Sequence, residues 1–357
     1  MTTSPLADHS AAQRWLKAAL FFTAVALPLA FLYKEAVPIS PAFSSFDRLF
    51  AGGGSEMNRI GSLLVGFNPD ERFRLEKVLK KAAMEDKTVI LTTLNEAWAS
   101  PNSILDTFLE SFRIGEGTRK LLDHLVMVTL DKKAYGRCTS IHPHCFALVT
   151  GKEDFSGEKD FMTDGYLKMM WRRIDFLRLV LETGYNFIFT DTDIMWFRNP
   201  MPKFHPDGDF QIACDQFKGD ESDLANRPNG GFNYVKSNNR TIEFYKFWYS
   251  SREKHPGLHD QDVLNIIKYD PFIKELGLKM VFLNTAYFGG ICEPSRDFNK
   301  VCTMHANCCI GLHRKIHDLG VMLDNWRSFM STPPATRRFK EHHWRVPQNC
   351  SLAKLHG

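Results

Sequence analysis

The sequence carries no long run of lysine or arginine, no Cys-x-x-Cys pair and no repeat of fixed period. A nucleic-acid binder shows a concentrated basic patch, so the first absence argues against that class. Lys+Arg at 45 against Asp+Glu at 41 leaves a formal charge of only +4, which names no partner. Without Cys-x-x-Cys, and with Cys308 beside Cys309, a zinc site is a poor reading of the cysteines. No visible repeat points to a solenoid or propeller. At 24% charged and 44% hydrophobic, the composition excludes a disordered, collagenous or coiled-coil chain. What the chain has is aromatic mass, with 29 Phe in 357 residues, enough to fill the core of one large domain or two ordinary ones.

The amino terminus carries a targeting signal. No side chain is charged from Ala18 to Tyr33, and Leu16 extends the run. A helix of about 20 residues crosses a bilayer, and Trp15 and Tyr33 suit its two interfaces. Pro28 is tolerable in lipid. Arg14 and Lys17 precede the run while Lys34 and Glu35 cancel after it, which favours a cytoplasmic amino terminus and a lumenal body. We expect an uncleaved anchor over 15–33 after a cytoplasmic tail of 1–14. A cleaved signal peptide is the competing reading, with small residues at Ala24-Val25-Ala26 and Leu29-Ala30. Eight cysteines permit disulfides in such a compartment, in any of 105 pairings. Asn239-Arg240-Thr241 and Asn349-Cys350-Ser351 read as glycosylation acceptors.

Residues 34–86 read as a stem, rich in Pro, Ser and Gly from Pro38 to Asn58 and closing with a charged helix over Arg72 to Glu85. From Lys87 the pattern alternates between strands and helices. Thr88 to Thr93 is a buried strand, Asn102 to Arg113 a helix with Phe108 and Phe112 on one face, and His124 to Leu130 a second strand. Asp164 to Glu182 is the clearest helix, stopped by Thr183-Gly184. The strand Tyr185 to Thr190 follows at once and ends in Asp191-Thr192-Asp193. Paired acids leaving a buried strand sit at the carboxyl edge of a parallel sheet, where open α/β folds bind ligands.

Asp-x-Asp occurs three times. Asp207-Gly208-Asp209 follows Pro206 and reads as a turn. Asp191-Thr192-Asp193 caps an apolar strand, so two hard oxygen ligands converge there and suit a divalent cation with room for phosphate oxygens; the plainer reading is a turn. Asp260-Gln261-Asp262 opens a helix, and Asp260 is equally an N-cap. Asn229-Gly230-Gly231 allows close backbone approach, or is an ordinary turn. His142 and His144 read as part of a disulfide-tied loop, and His342-His343 as surface.

The block Phe189 to Pro200, with Asn229-Gly230-Gly231-Phe232-Asn233, Asp260 to Asn265 and Met304 to Cys309 in order, resembles the plant nucleotide-diphospho-sugar transferases of glycosyltransferase family 77. The resemblance runs from about Lys87 to Met330. It implies a GT-A fold, a mixed, mostly parallel α/β sheet flanked by helices, as the catalytic domain over 87–330, with a tail over 331–357. It further implies that Asp191, Asp193 and His305 hold Mn²⁺, or Mg²⁺ in its place. Independently of those blocks, the amino-terminal transmembrane helix and stem match the Golgi type II membrane layout common to such enzymes. Arg173 and Lys315 would meet the donor diphosphate, although the distance from His305 to Lys315 departs from related families; Arg173 is otherwise a solvated helix charge. Asn229, Gly230 and Gly231 would approach the sugar, and Gln261 and Asp262 the reacting carbon. The implied reaction transfers a sugar, with retention, from a nucleotide-diphosphate donor (most simply a UDP-sugar) to a cell-wall polysaccharide or glycoprotein. A metal-dependent hydrolase of nucleotide sugars and a degenerate lumenal binding protein are the rival readings.

Overall fold

The computed structural model describes residues 69–350 apart from Lys152 and Arg338. The expected anchor, the cytoplasmic tail and the stem before Pro69 lie outside the described residues. Among the described residues no helix is long and apolar enough to cross a membrane.

Among the described residues, ten strands alternate with helices. They are α1 (Pro69–Ala82), β1 (Thr88–Leu94), α2 (Glu96–Ala99), α3 (Ile104–Ile114), β2 (Leu125–Thr129), α4 (Lys132–Ile141), β3 (Cys145–Ala147), α5 (Asp164–Glu182), β4 (Asn186–Thr190) and β5 (Ile194–Trp196). Then come β6 (Phe210–Gln216), β7 (Arg227–Val235), α6 (Asn239–Ser251), α7 (Asp260–Ile267), α8 (Pro271–Glu275), β8 (Met280–Phe282), β9 (Phe288–Gly290), β10 (Thr303–His305), α9 (Leu312–Ser331) and α10 (Pro334–Arg337). The seven-stranded sheet runs β3-β2-β1-β4-β7-β6-β8. Only β7 runs against the others. A three-stranded sheet, β5-β10-β9, stands beside it. The expected mixed, mostly parallel α/β sheet is what the chain forms.

Side chains alternate across the strands, and both faces are covered. Val89, Leu91, Val126 and Phe189 pack under α1, α5 and α6. Ile90, Leu94, Met127 and Ile188 pack with α3, α9 and the small sheet. Burial on both faces is why these strands read as unbroken apolar runs. The α1 helix, placed in the stem by its charge, buries Leu75, Leu79 and Ala82 in the core. Beyond α9, Val346 and Cys350 are buried and Trp344 stacks on Phe298 with centroids 4.1 Å apart.

Three disulfides form: Cys138–Cys145, Cys292–Cys308 and Cys309–Cys350. The first ties α4 to β3 and encloses His142 and His144, as the loop reading expected. Cys214 and Cys302 are free thiols buried in the core. His342 departs from the surface reading, since its ring packs edge-on against Phe329.

Candidate active site

The helix α5 and the strand β4 set the site. Thr163 caps α5 by accepting from the Tyr166 N–H, and Gly184, at φ +83°, turns the chain into β4. Leaving β4, Asp191 donates its backbone N–H to Gly231 O at 2.7 Å. Because β7 runs antiparallel to β4, its first residues lie at the same edge of the sheet as the end of β4. In the small sheet His305 pairs with Ile194, which carries the imidazole back over the acids.

Asp191, Asp193 and His305 each place a ligand atom within 4.8 Å of the others. His305 Nε2 is 3.1 Å from Asp193 Oδ1. That carboxylate oxygen is buried and has no hydrogen-bond partner of good geometry. Two hard oxygens and an imidazole suit a divalent cation, and a buried carboxylate oxygen left without a donor is what such an ion would satisfy.

The charges around them are buried and paired. Arg173, 6% exposed, donates from Nη1 to Asp191 Oδ1 at 2.9 Å and from Nη2 to Asp260 Oδ2 at 2.6 Å. The solvated reading of Arg173 is therefore wrong. Burial opposes its charge, and the two carboxylates more than offset that, raising its pKa. Burial lifts the Asp191 carboxyl above its usual range, with Arg173 pulling the other way and Asp193 adding to the rise. For Asp193 burial is outweighed by Lys315 and His305, which pull it well below the usual range. Lys315 Nζ ion-pairs with Asp193 Oδ2 and lies 5.5 Å from the centroid of Trp98. Burial raises the Tyr166 phenol, which lines the same cavity.

The helix cap falls one residue before the expected Asp260. His259 Nδ1 accepts from the N–H groups of Gln261 and Asp262 at 3.1 and 3.2 Å, freeing Asp260 for Arg173. Gln261 Oε1 accepts from Gly230 N–H at 2.9 Å. Asp262 does not line the cavity; its carboxylate is 45% exposed and lies 3.6 Å from His259 Nε2. Successive helix residues point about 100° apart, so a helix that aims Gln261 inward turns Asp262 out.

One residue went unnoticed in the sequence. Asp215 Oδ1 accepts from Asn229 Nδ2 and from Asn307 Nδ2, each at 2.8 Å, and Oδ2 accepts from Gln261 Nε2 at 2.9 Å. Each amide oxygen is taken by a backbone N–H, from Gly231, Cys292 and Gly230 respectively. Four polar side chains from β6, β7, α7 and the segment after β10 are thereby locked together. A single aspartate near the end of a strand has no local signal that would have flagged it.

These groups share a cavity of about 340 Å³, within the range of small-molecule sites. Trp98, Phe161 and Tyr166 line it, and so do Cys292, Cys308 and Cys309. The site lies at the carboxyl edge of a doubly covered α/β sheet, where carboxylates, an imidazole and cationic side chains converge in an arrangement suited to a divalent cation and a polar ligand.

Residues 120–319 match the family described as nucleotide-diphospho-sugar transferase. The chain belongs to this family and is a glycosyltransferase. An uncharacterised protein of Arabidopsis thaliana is 53% identical over 278 residues, covering 78% of this chain and 73% of that protein. The UDP-galactose:fucoside alpha-3-galactosyltransferase of Dictyostelium discoideum is 28% identical over 178 residues, 41% of this chain and 26% of that protein. Mouse xyloside xylosyltransferase 1 superposes with a TM-score of 0.39 at 14% identity, over 62% of this chain and 98% of that one.

Proposed function

We propose that this enzyme transfers a sugar from a UDP-linked donor to a cell-wall glycan or glycoprotein in the Golgi lumen, with retention and with Mn²⁺ bound by Asp191, Asp193 and His305. The observation that carries the reading is the meeting of those three ligands with Arg173 and Lys315 at one sheet edge. A UDP donor is supported by the name of the Dictyostelium relative, a UDP-galactose-dependent transferase. The apolar run before residue 34 supports the membrane anchor, and retention and the acceptor class rest on the resemblance to family 77.

A divalent cation at these ligands would offset the negative charge that develops on a departing nucleoside diphosphate. The chain's own residues set the rest. Arg173 holds Asp191 in place and opposes the rise that burial imposes on its carboxyl. Lys315, which pairs with Asp193 and lines the cavity, would meet the diphosphate. The Asp215 cluster leaves amide hydrogens and one carboxylate lone pair for sugar hydroxyls. Gln261, fixed at both ends of its amide, is the candidate to stand beside the reacting carbon in place of Asp262.

The test is nucleotide release from a panel of UDP- and GDP-sugars by the oxidised, purified chain with Mn²⁺, beside Asp191→Ala/Asp193→Ala. Release from one donor, lost in the variant and stimulated by acceptor glycans, is the expected outcome. Release indifferent to any acceptor would make it a hydrolase. Absence of both release and calorimetric binding of Mn²⁺ and UDP would end the assignment.

A further inference from the structure

Between β10 and α9 the chain crosses residues 306–311 without regular structure, and it brings His305, Asn307 and Lys315 to the cavity. Two neighbouring half-cystines fasten this crossing in two directions. Cys308, at φ +54°, bonds to Cys292 on the turn after β9. Cys309 bonds to Cys350, 41 residues further on. Each anchor is reinforced by hydrogen bonds, and those of the first end at the site. Asn307 Oδ1 accepts from Cys292 N–H at 3.1 Å while its Nδ2 donates to Asp215. Ile291 N–H donates to His305 O at 2.9 Å, and Ala306 N–H to Asp193 O at 3.0 Å. On the other side Asp318, fully buried one turn beyond Lys315, accepts from the N–H groups of Gln348, Asn349 and Cys350 at 2.9, 3.0 and 3.0 Å. The disulfide to Cys350 thus closes a strap over the first turn of α9.

We propose that Cys292–Cys308 and Cys309–Cys350 are positioning bonds for the metal and donor site, holding His305, Asn307 and Lys315 in register with Asp193 and Asp215. This rests on the function proposed above. Cross-links narrow what the chain can do when open, and here the restrained segment carries a cation ligand, a sugar-side amide and the lysine. Groups that orient metal ligands typically change metal affinity about 10- to 100-fold when removed. Cys138–Cys145 is the internal comparison, because neither of its residues lines the cavity.

The full-length chain, produced with its disulfides formed, is compared with Cys292→Ser/Cys308→Ser, Cys309→Ser/Cys350→Ser and Cys138→Ser/Cys145→Ser. Mn²⁺ affinity is read by calorimetry, thermal midpoint by scanning, and amide exchange over residues 303–318 by mass spectrometry. The two cavity variants are expected to bind Mn²⁺ about 10- to 100-fold more weakly and to exchange faster over 303–318. The Cys138 and Cys145 variant lowers the midpoint and keeps the affinity. Unchanged affinity in both cavity variants, or an equal loss in all three, overturns the proposal. If the parent binds no Mn²⁺, the functional reading falls and exchange decides alone: acceleration confined to the cavity variants sustains the clamp, and unchanged exchange defeats it. Where a variant does not fold, graded phosphine reduction of the folded parent gives the same comparison bond by bond.

Discussion

Replacing Arg173 with methionine removes the cation that bridges Asp191 and Asp260 and leaves both carboxylates without it. Arg173 is 6% and Asp260 2% exposed, so water cannot take over at Asp260, whereas Asp191 at 27% keeps some access. Removing one member of a buried ion pair costs about 3–5 kcal/mol, whereas removing both members is often close to neutral. For a domain of this size each kcal/mol lowers the midpoint by about 2–4 °C, so Arg173→Met falls by roughly 6–20 °C. The Arg173→Met/Asp260→Asn pair should recover part of that loss. Asp191, already raised by burial, loses its main opposing charge and rises further, so Mn²⁺ binding weakens and its pH dependence moves upward. Denaturant unfolding of the four members of the cycle, beside Mn²⁺ calorimetry, measures both effects. A loss under about 1 kcal/mol, or simple additivity within about 0.5 kcal/mol, would show that the bridge does not bear on stability and that the electrostatic account of Asp191 is wrong.

Three further substitutions and one control probe the site and the strap beside it. A Cβ on Gly231 would stand 2.6 Å from His305 Cε1 and 2.7 Å from Asp191 Oδ2; Gly231→Ala is expected to cost about 1–3 kcal/mol and most of the Mn²⁺ affinity. Gly136→Ala, where a Cβ meets nothing within 4 Å, should leave that affinity unchanged by calorimetry. Asp215→Asn turns an N–H toward the amides that now donate to Asp215; an unmet group of this kind costs about 1–3 kcal/mol, read as a donor KM raised about 10- to 100-fold with Mn²⁺ affinity kept. Burial works to raise the Asp318 carboxyl, but three backbone N–H groups and His317 hold it below its ordinary value. Its stabilisation is therefore full above an unfolded pKa of about 3.9 and is lost as pH falls through the lower folded value. Asp318→Asn should lose about 2–4 kcal/mol at neutral pH and flatten the acid limb of the midpoint profile; an unchanged limb would remove Asp318 from the strap.

The parts of this site legible in the sequence are those written in local pattern. The α5 helix falls over Asp164 to Glu182 as its 3.6-residue spacing predicted, and β4 delivers Asp191 to the sheet edge because an apolar strand ends where the acids begin. Arg173 shows where pattern fails. The helix does aim it inward, yet the carboxylates that hold it there are 18 and 87 residues away, and only the sheet order brings them together. Asp215 gave no signal for the same reason, since its three amide donors lie 14, 46 and 92 residues along the chain. Asp262 fails in the opposite way: a triplet of acids and amide reads as one unit in sequence, but helical rotation divides it, giving Asp260 to Arg173, Gln261 to Asp215 and Asp262 to the exposed side beside His259. Disulfide pairing is non-local by nature, and 105 possibilities could be reduced only by coordinates. What local sequence encodes here is the direction in which each group leaves its element. What each group meets is decided by the order β4-β7-β6 and by β10 pairing with β5. A change to that order would scatter the site while leaving every motif intact, so the motifs identify the family and the topology supplies the chemistry.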